Sequence, residues 1–282
     1  MIKKHFLQVF ILMILMILVF LVSRAKALQD DPMQAFRTVM SELENYDYGQ
    51  DRTWYSDYRE LMKEIHTRPD LLPEVEPVML ELLTSDASLL AKQFIADELM
   101  VYGTSRSVPV LADMLEEKNT GIIALKPLEV IDDPGIEKVL VKAMKKADDD
   151  LKTGILITLG NRRSVDALKA ITRELDAGDE GTVLAALYAL GELGTPESAE
   201  VLMNKMAETN PPLQWDAAEA LIRCAELLTS EDRDASVDPY YEAIVRLAPP
   251  PTLHYAVIRQ QVLHAASGQA AQLKEAIAGA SS

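Results

Sequence analysis

The sequence predicts an all-α protein, an α-solenoid of about six stacked antiparallel helix pairs behind an N-terminal helical extension. Apolar residues recur at the spacing of amphipathic helices, and no segment shows the two-residue alternation that a β-strand requires. Helix starts recur every 28–34 residues, which is typical of a repeat protein. Because one such pair has too little apolar surface to fold alone, we expect neighbouring pairs to stack around a shared core.

Residues 1–27 carry the pattern of a secretory signal peptide. A basic start, Met1–Lys4, precedes an almost unbroken apolar run over residues 6–22, and Ala25-Lys26-Ala27 forms a small-x-small cleavage site. An uncleaved membrane anchor is the alternative, because the run is barely long enough to cross a bilayer and basic residues flank it on both sides. Either interpretation predicts an exported chain, which is periplasmic or extracellular if cleaved and anchored at the inner membrane if not.

Residues 28–68 have a composition of their own, and we expect two helices here ahead of the regular array. Asp31-Pro32 combines a capping side chain with a proline suited to the first helical position. Four of the nine tyrosines and one of the two tryptophans lie between Tyr46 and Tyr58. One interpretation is a cap over the end of the repeat stack, which a solenoid requires. The other is an aromatic patch that binds a partner.

Residues 69–282 are predicted to form the solenoid, and Thr182–Leu202 is its clearest unit. Gly191 and Gly194 offer left-handed positions where a helix can end, Thr195 is a suitable N-cap, and Pro196 suits the start of the next helix. Similar residue types recur at four helix starts, GTSRSVPVL, DDPGIEKVL, GNRRSVDAL and GTPESAEVL. We therefore expect helix stops at Gly103, Asp132, Gly160 and Gly194, N-caps at Thr104, Asp133, Asn161 and Thr195, and buried leucines at Leu111, Leu140, Leu168 and Leu202.

This unit resembles the HEAT-like repeats of the phycobilisome-lyase type. In these repeats a helix ends in Ala-Ala-x-Ala-Leu, and a glycine, a capping residue and a Val/Ala-x-x-Leu helix follow. Thr182–Leu202 carries this pattern best, and Ala217–Leu221 matches its second-helix portion. Together with the N-terminal signal, the resemblance implies an exported bacterial HEAT-like repeat protein. It implies no particular function, because such repeats serve lyases, scaffolds and adaptors alike.

Charge and motifs argue against nucleic-acid binding and against catalysis. The formal net charge is −16, whereas nucleic-acid binding draws its affinity from Lys and Arg that neutralise phosphates. The single cysteine, Cys224, excludes an internal disulfide and a Cys-based zinc site. His254 and His264 lack the spacing of metal ligands, and no nucleophile, phosphate-loop or calcium-loop motif occurs. We therefore expect no enzyme activity, no metal and no cofactor.

Residues that are equivalent across repeats should form rows on the concave side, which the second helix of each pair lines. One row reads Gln93, Ile122, Asp150, Leu184 and Trp215, and the next reads Asp97, Lys126, Gly154, Tyr188 and Glu219. Large apolar groups interleaved with charges are typical of a protein-recognition groove. We therefore predict partner binding by Lys126, Leu184, Tyr188, Trp215 and Glu219. The alternative is that a one-residue shift in the alignment places Trp215 in the core.

The sequence thus predicts a non-catalytic protein-protein interaction scaffold or adaptor that acts outside the cytoplasm. Its expected partners are other proteins and not nucleic acid, and it meets a membrane only through an uncleaved N-terminal segment. The alternative is an accessory subunit of an envelope enzyme or assembly whose chemistry another chain supplies. Co-purification from the cell envelope distinguishes the two, because it shows whether an enzyme accompanies the chain.

Overall fold

A computed structural model describes residues 31–231 and 236–280. Across these ranges the chain forms fourteen α-helices and no β-strand, which confirms the all-α prediction. The helices are α1 Pro32–Glu44, α2 Thr53–His66, α3 Leu72–Thr84, α4 Leu89–Tyr102, α5 Ser107–Leu115, α6 Gly121–Val130, α7 Ile136–Met144, α8 Asp149–Asn161, α9 Leu168–Arg173, α10 Glu180–Leu193, α11 Pro196–Glu208, α12 Leu213–Glu231, α13 Asp238–Arg246 and α14 Pro251–Ala280. The chain divides into two compact units, Met1–Leu111 and Ala112–Ser282, with the boundary inside α5.

The first unit is built from α1 to α4 and the start of α5. Within it α1 packs against α2 and α3, and α3 packs against α4. The Asp31 side chain accepts hydrogen bonds from the backbone N–H groups of Met33 and Gln34 at 3.0 and 3.2 Å, so α1 begins where the sequence predicts. Leu43 of α1 and Ile65 of α2 are fully buried and contribute to the core of this unit.

The second unit alternates two sets of helices. We call α6, α8, α10, α12 and α14 the second helices, and each of them packs against the next. We call the other helices of this unit that precede them the first helices, α7, α9, α11 and α13. Each first helix packs against the second helix that follows it. Residues 209–212 are a short connection between the extensively packed α11 and α12, so these two helices run antiparallel. This arrangement agrees with stacked helix pairs, and the total number of pairs stays a prediction.

The turn between α10 and α11 has the predicted geometry. Gly194 adopts the left-handed conformation, with φ +61° and ψ 36°, at the end of α10. The Thr195 hydroxyl accepts a hydrogen bond from the Ser198 N–H at 3.1 Å, and the Ser198 hydroxyl accepts one from the Thr195 N–H at 3.2 Å. This reciprocal capping box satisfies two backbone donors, and Pro196 opens the helix. Local residue types therefore favour a turn here, and the turn also packs against Leu227 and Cys224 of α12.

Two other glycines that we expected to end helices lie inside them. α8 continues through Gly160 to Asn161, which is therefore not an N-cap, and α10 continues past Gly191. A Cβ on Gly160 would lie 2.8 Å from the Cα of Ala189, and one on Gly191 would lie 2.9 Å from the backbone oxygen of Ala220. The prediction was wrong at both positions, because these glycines allow successive second helices to touch backbone to backbone.

The other repeat columns are reproduced in part. Three of the four expected leucines are fully buried and Leu168 is half-buried. We expected N-caps at Thr104 and Asp133, but neither residue is one, because α5 and α7 each begin three residues later. Gly103 ends α4 in an extended conformation and not in a left-handed one. Burial of the equivalent leucine is therefore more regular across the repeats than the way in which the preceding helix is capped. Several kinds of local turn can precede the same buried leucine.

The predicted signal peptide or anchor, residues 1–27, lies outside the described residues. Within residues 31–231 and 236–280, no helix is long and apolar enough to span a bilayer. The predicted domain limits at residues 27 and 68 stay predictions. The first compact unit contains the two expected cap helices, α1 and α2, together with α3 and α4.

Candidate functional site

Exposed apolar side chains of the second unit concentrate on its second helices. Ile122 on α6, Ile157 on α8, and Leu184 and Tyr188 on α10 are 38–53% exposed. Among the described residues, the first helices α7, α9 and α11 expose no large apolar side chain to this extent. Val245 of α13 is the exception among the first helices, at 38% exposure. Because most of the exposed large apolar side chains still lie on the second helices, these helices offer the larger surface for apolar contact.

The side chains of α10 and α12 enclose a groove of about 400 Å³, which we call the α10–α12 groove. Its exposed apolar wall comes from α10 and its charged wall mainly from α12, and it is lined by Leu184, Leu187, Tyr188, Gly191, Glu192, Asp216, Glu219, Ala220 and Arg223. Leu187, Gly191 and Ala220 are buried and form the floor, where the two backbones approach closely. The volume lies within the roughly 300–1,000 Å³ of clefts that bind ligands.

Tyr188 is fixed in place by side chains of the two preceding second helices. Its hydroxyl donates a hydrogen bond to Oδ1 of Asn161 on α8 at 2.7 Å. The Asn161 amide nitrogen in turn donates to Oε2 of Glu129 on α6 at 2.9 Å. Partial burial, followed by the nearby charge of Glu192, raises the pKa of Tyr188, so the phenol stays protonated and keeps donating. The aromatic ring is thereby presented to solvent in a defined orientation.

Arg223 is held by a bidentate ion pair with Glu192 across the groove. Its Nε and Nη2 atoms donate to Oε1 and Oε2 of Glu192 at 2.7 and 3.0 Å. The hydrogen bond with Glu192 is the main reason why the pKa of Arg223 is raised. Nη1 also lies 3.7 Å from Oε2 of Glu226, whose other oxygen accepts a hydrogen bond from Gln260 on α14. The guanidinium thus connects α10 to α12, and its charge is already neutralised.

Two carboxylates of the groove are left without a cationic partner. Asp216 lies in the first turn of α12, where the helix dipole favours a negative charge, and Glu219 follows on the same side of the helix. Within the described residues, neither side chain forms a hydrogen bond or an ion pair. The groove therefore combines a fixed aromatic ring and an apolar leucine with two carboxylates that are free to bind a ligand.

The groove brings together three of the five residues that we predicted to bind a partner, Leu184, Tyr188 and Glu219. Trp215 is half-buried on α12 and does not line the groove, where its neighbour Asp216 takes its place. Trp215 therefore lies neither in the groove nor among the buried core residues, and its role in partner binding stays a prediction. Lys126 is exposed on α6, two second helices away from the groove.

The two rows of equivalent residues that we predicted on the concave side do not contain Glu192, Asp216 or Arg223. Glu192 and Arg223 are 31 residues apart, and each lies four residues, about one helical turn, after the row members Tyr188 and Glu219. Extending the rows by four residues would therefore have found Glu192 and Arg223. No such signal was available for Asp216, because its position depends on the exact rotation of α12 against α10.

The aromatic residues of the first unit pack mainly with one another. Trp54 and Tyr58 are buried, and the ring centroid of each lies 5.1 Å from that of Phe94 on α4. The Tyr58 hydroxyl donates to Oε2 of Glu98 at 2.5 Å, and burial is the main cause that raises the pKa of Tyr58. Tyr55 is 42% exposed. The buried rings stabilise this unit, whereas Tyr48 is 88% exposed, so the cap and the binding patch both stay predictions.

Within residues 31–231 and 236–280, no group of three or more His, Cys, Asp or Glu side chains could hold a metal ion. Residues 137–222 match the family model described as HEAT repeats. The matched segment runs from α7 into α12 and contains every groove residue except Arg223. No curated protein matches the chain significantly. The part of the chain that builds the groove is therefore HEAT-like in sequence as well as in its alternation of helices.

Proposed function

We propose that this protein is a non-catalytic protein-protein interaction scaffold that acts outside the cytoplasm, with the second helices as its binding face. HEAT repeats generally mediate protein-protein interaction, and the matched segment contains most of the groove. Export is inferred from residues 1–27, whose basic, apolar and small-residue regions follow one another in the order of a secretory signal. Mass spectrometry of the mature N-terminus checks this part, since cleavage after Ala27 would leave Leu28 as the first residue.

The α10–α12 groove is the observation that carries the proposal. Its tyrosine and leucine are exposed although neighbouring apolar residues of the same helix are buried, so their exposure has a cost that a bound partner would remove. The hydrogen bond from Tyr188 to Asn161 restrains the ring before binding. Restrained aromatic side chains lose little conformational entropy when they bind, and they are frequent among the residues that dominate interface energies.

Co-purification from the native cell envelope tests the proposal with two matched variants. Leu184→Asp places a charge in the groove, and Val245→Asp places one on α13 at a residue with the same 38% exposure. We expect the proteins recovered with the wild-type chain to fall about tenfold or more with Leu184→Asp, as at an interface hot spot. Equal recovery with both variants, or no protein recovered with the wild type, would contradict the proposal. Circular-dichroism melting of both variants checks that they are folded.

A further inference from the structure

We propose that the α10–α12 groove recognises a partner segment in which a lysine or arginine stands beside a large apolar side chain. This inference rests on the proposed function and specifies the chemistry of the partner. It follows from the charges and the apolar surface that the groove presents together.

The charge balance of the groove favours a cationic ligand group. Glu192, Asp216 and Glu219 face a single guanidinium, that of Arg223. The bidentate hydrogen bonds neutralise Arg223 with Glu192, so Asp216 and Glu219 supply the net charge of the groove. A partner carboxylate would be repelled here, whereas an ammonium or guanidinium group would be attracted to both carboxylates.

The apolar surface in the same groove distinguishes a protein segment from a small cation. Leu184 and Tyr188 are 38% and 43% exposed and lie opposite the carboxylates. An inorganic cation or a small amine could pair with Asp216 and Glu219 but would leave this apolar wall uncovered. Lysine and arginine side chains have apolar stems that can lie along Tyr188, and an adjacent leucine or aromatic residue would cover Leu184.

Selection from a displayed library of random dodecapeptides against the purified chain tests the inference, because such a library favours no chemistry in advance. Each selected peptide is then measured against three variants. Asp216→Asn combined with Glu219→Gln removes the two unpaired charges, and Leu184→Ser removes apolar contact. Glu200→Gln combined with Glu208→Gln is the control, since it makes the same change in net charge at exposed residues of α11.

We expect the selected peptides to be enriched in lysine or arginine next to a large apolar residue. Their affinity should fall about tenfold or more in the Asp216/Glu219 variant and less than about twofold in the Glu200/Glu208 control. Loss of affinity in the control to the same degree would overturn the inference, since a general attraction to an acidic protein would then explain the enrichment.

The remaining outcomes separate this inference from the function on which it rests. Peptides that need Leu184 but show no basic enrichment, or no response to the Asp216/Glu219 variant, would overturn the cationic chemistry and leave the scaffold proposal standing. If no selected peptide depends on Leu184, both proposals fail. The enrichment is read from the wild-type chain, so the inference stays testable even if one variant folds poorly.

Discussion

At the scale of single residues, Gly191 and Gly160 decide how closely the second helices can approach. At Gly191 the neighbour is the backbone of Ala220, with its oxygen 2.9 Å and its Cα 3.3 Å from the position of an added Cβ. Backbone atoms cannot rotate away as the end of a flexible side chain can. The glycine has an intrinsic cost in a helix, so its place here is explained by the contact between α10 and α12.

We predict that Gly191→Ala destabilises the protein by about 1–3 kcal/mol, because the clash outweighs the gain in helix propensity. Gly178→Ala is the matched control, since this glycine is exposed and an added Cβ would meet nothing within 4 Å. The control should change stability by less than about 1 kcal/mol. Urea unfolding of both variants measures the difference, and equal stabilities would show that the two helices are not in backbone contact.

A second residue with a large expected effect is Glu76 of α3, which is only 4% exposed. Its carboxylate accepts hydrogen bonds from the Thr104 N–H at 2.7 Å, the Thr104 hydroxyl at 2.8 Å and the Ser107 hydroxyl at 2.6 Å. It therefore satisfies donors in the turn that precedes α5. The sequence does not show this role, because 28 to 31 residues separate the partners.

We predict that Glu76→Gln costs about 2 kcal/mol, because it removes the negative charge that strengthens the hydrogen bonds from Thr104 and Ser107. Glu74→Gln, on the exposed side of the same helix, should cost less than about 0.5 kcal/mol. Thermal unfolding compares the two variants. A Glu76→Gln protein as stable as the Glu74→Gln protein would mean that the charge of Glu76 contributes nothing to these hydrogen bonds.

At the scale of helices, the end of α6 is stabilised by a side chain from the next repeat. Nη1 of Arg162 donates to the backbone oxygens of Leu128, Glu129 and Ile131 at 2.8–2.9 Å. The last carbonyls of a helix lack partners within the helix, and they carry its negative dipole charge. A single guanidinium thus caps one helix and links α6 to the end of α8.

We predict that Arg162→Met destabilises the protein by about 1–3 kcal/mol, because it leaves these carbonyls without their charged donor. Lys169→Met removes an equal charge from an exposed position on α9 and should have an effect below about 0.5 kcal/mol. Hydrogen exchange of the α6 amides should also become faster in Arg162→Met alone. Unchanged exchange there would place the stabilising effect of Arg162 elsewhere.

The helices also show why sequence signals succeed at one turn and fail at another. Gly194 and Thr195 are read correctly, because glycine and a capping hydroxyl act within the same few residues. The pair Gly160-Asn161 resembles the pair Gly194-Thr195 in sequence but forms contacts with the next repeat. Gly160 lies against Ala189, and Asn161 accepts a hydrogen bond from Tyr188. A residue type that suits both a turn and a helix contact cannot be assigned from local sequence alone.

At the scale of the whole molecule, helical periodicity and the repeat spacing were sufficient to predict an all-α chain. The division at Leu111, inside α5, was not predictable, because the first copy of the repeat, Gly103–Leu111, has the same local pattern as later copies. The rows of equivalent residues across repeats also predicted that Leu184, Tyr188 and Glu219 share one surface. They did not predict the ion pair of Arg223 with Glu192, because both residues lie one helical turn beyond the positions that we compared.

The central claim is that the second-helix side of residues 112–282, and the α10–α12 groove in particular, is where another protein binds. Site-specific photo-crosslinking in the native cell tests it most directly, with a photoreactive amino acid in place of Leu184 or, as the control, of Glu200 on α11. We predict a defined crosslinked protein from position 184 and none from position 200. Equal crosslinking at the two positions, or no product at position 184, would contradict the claim.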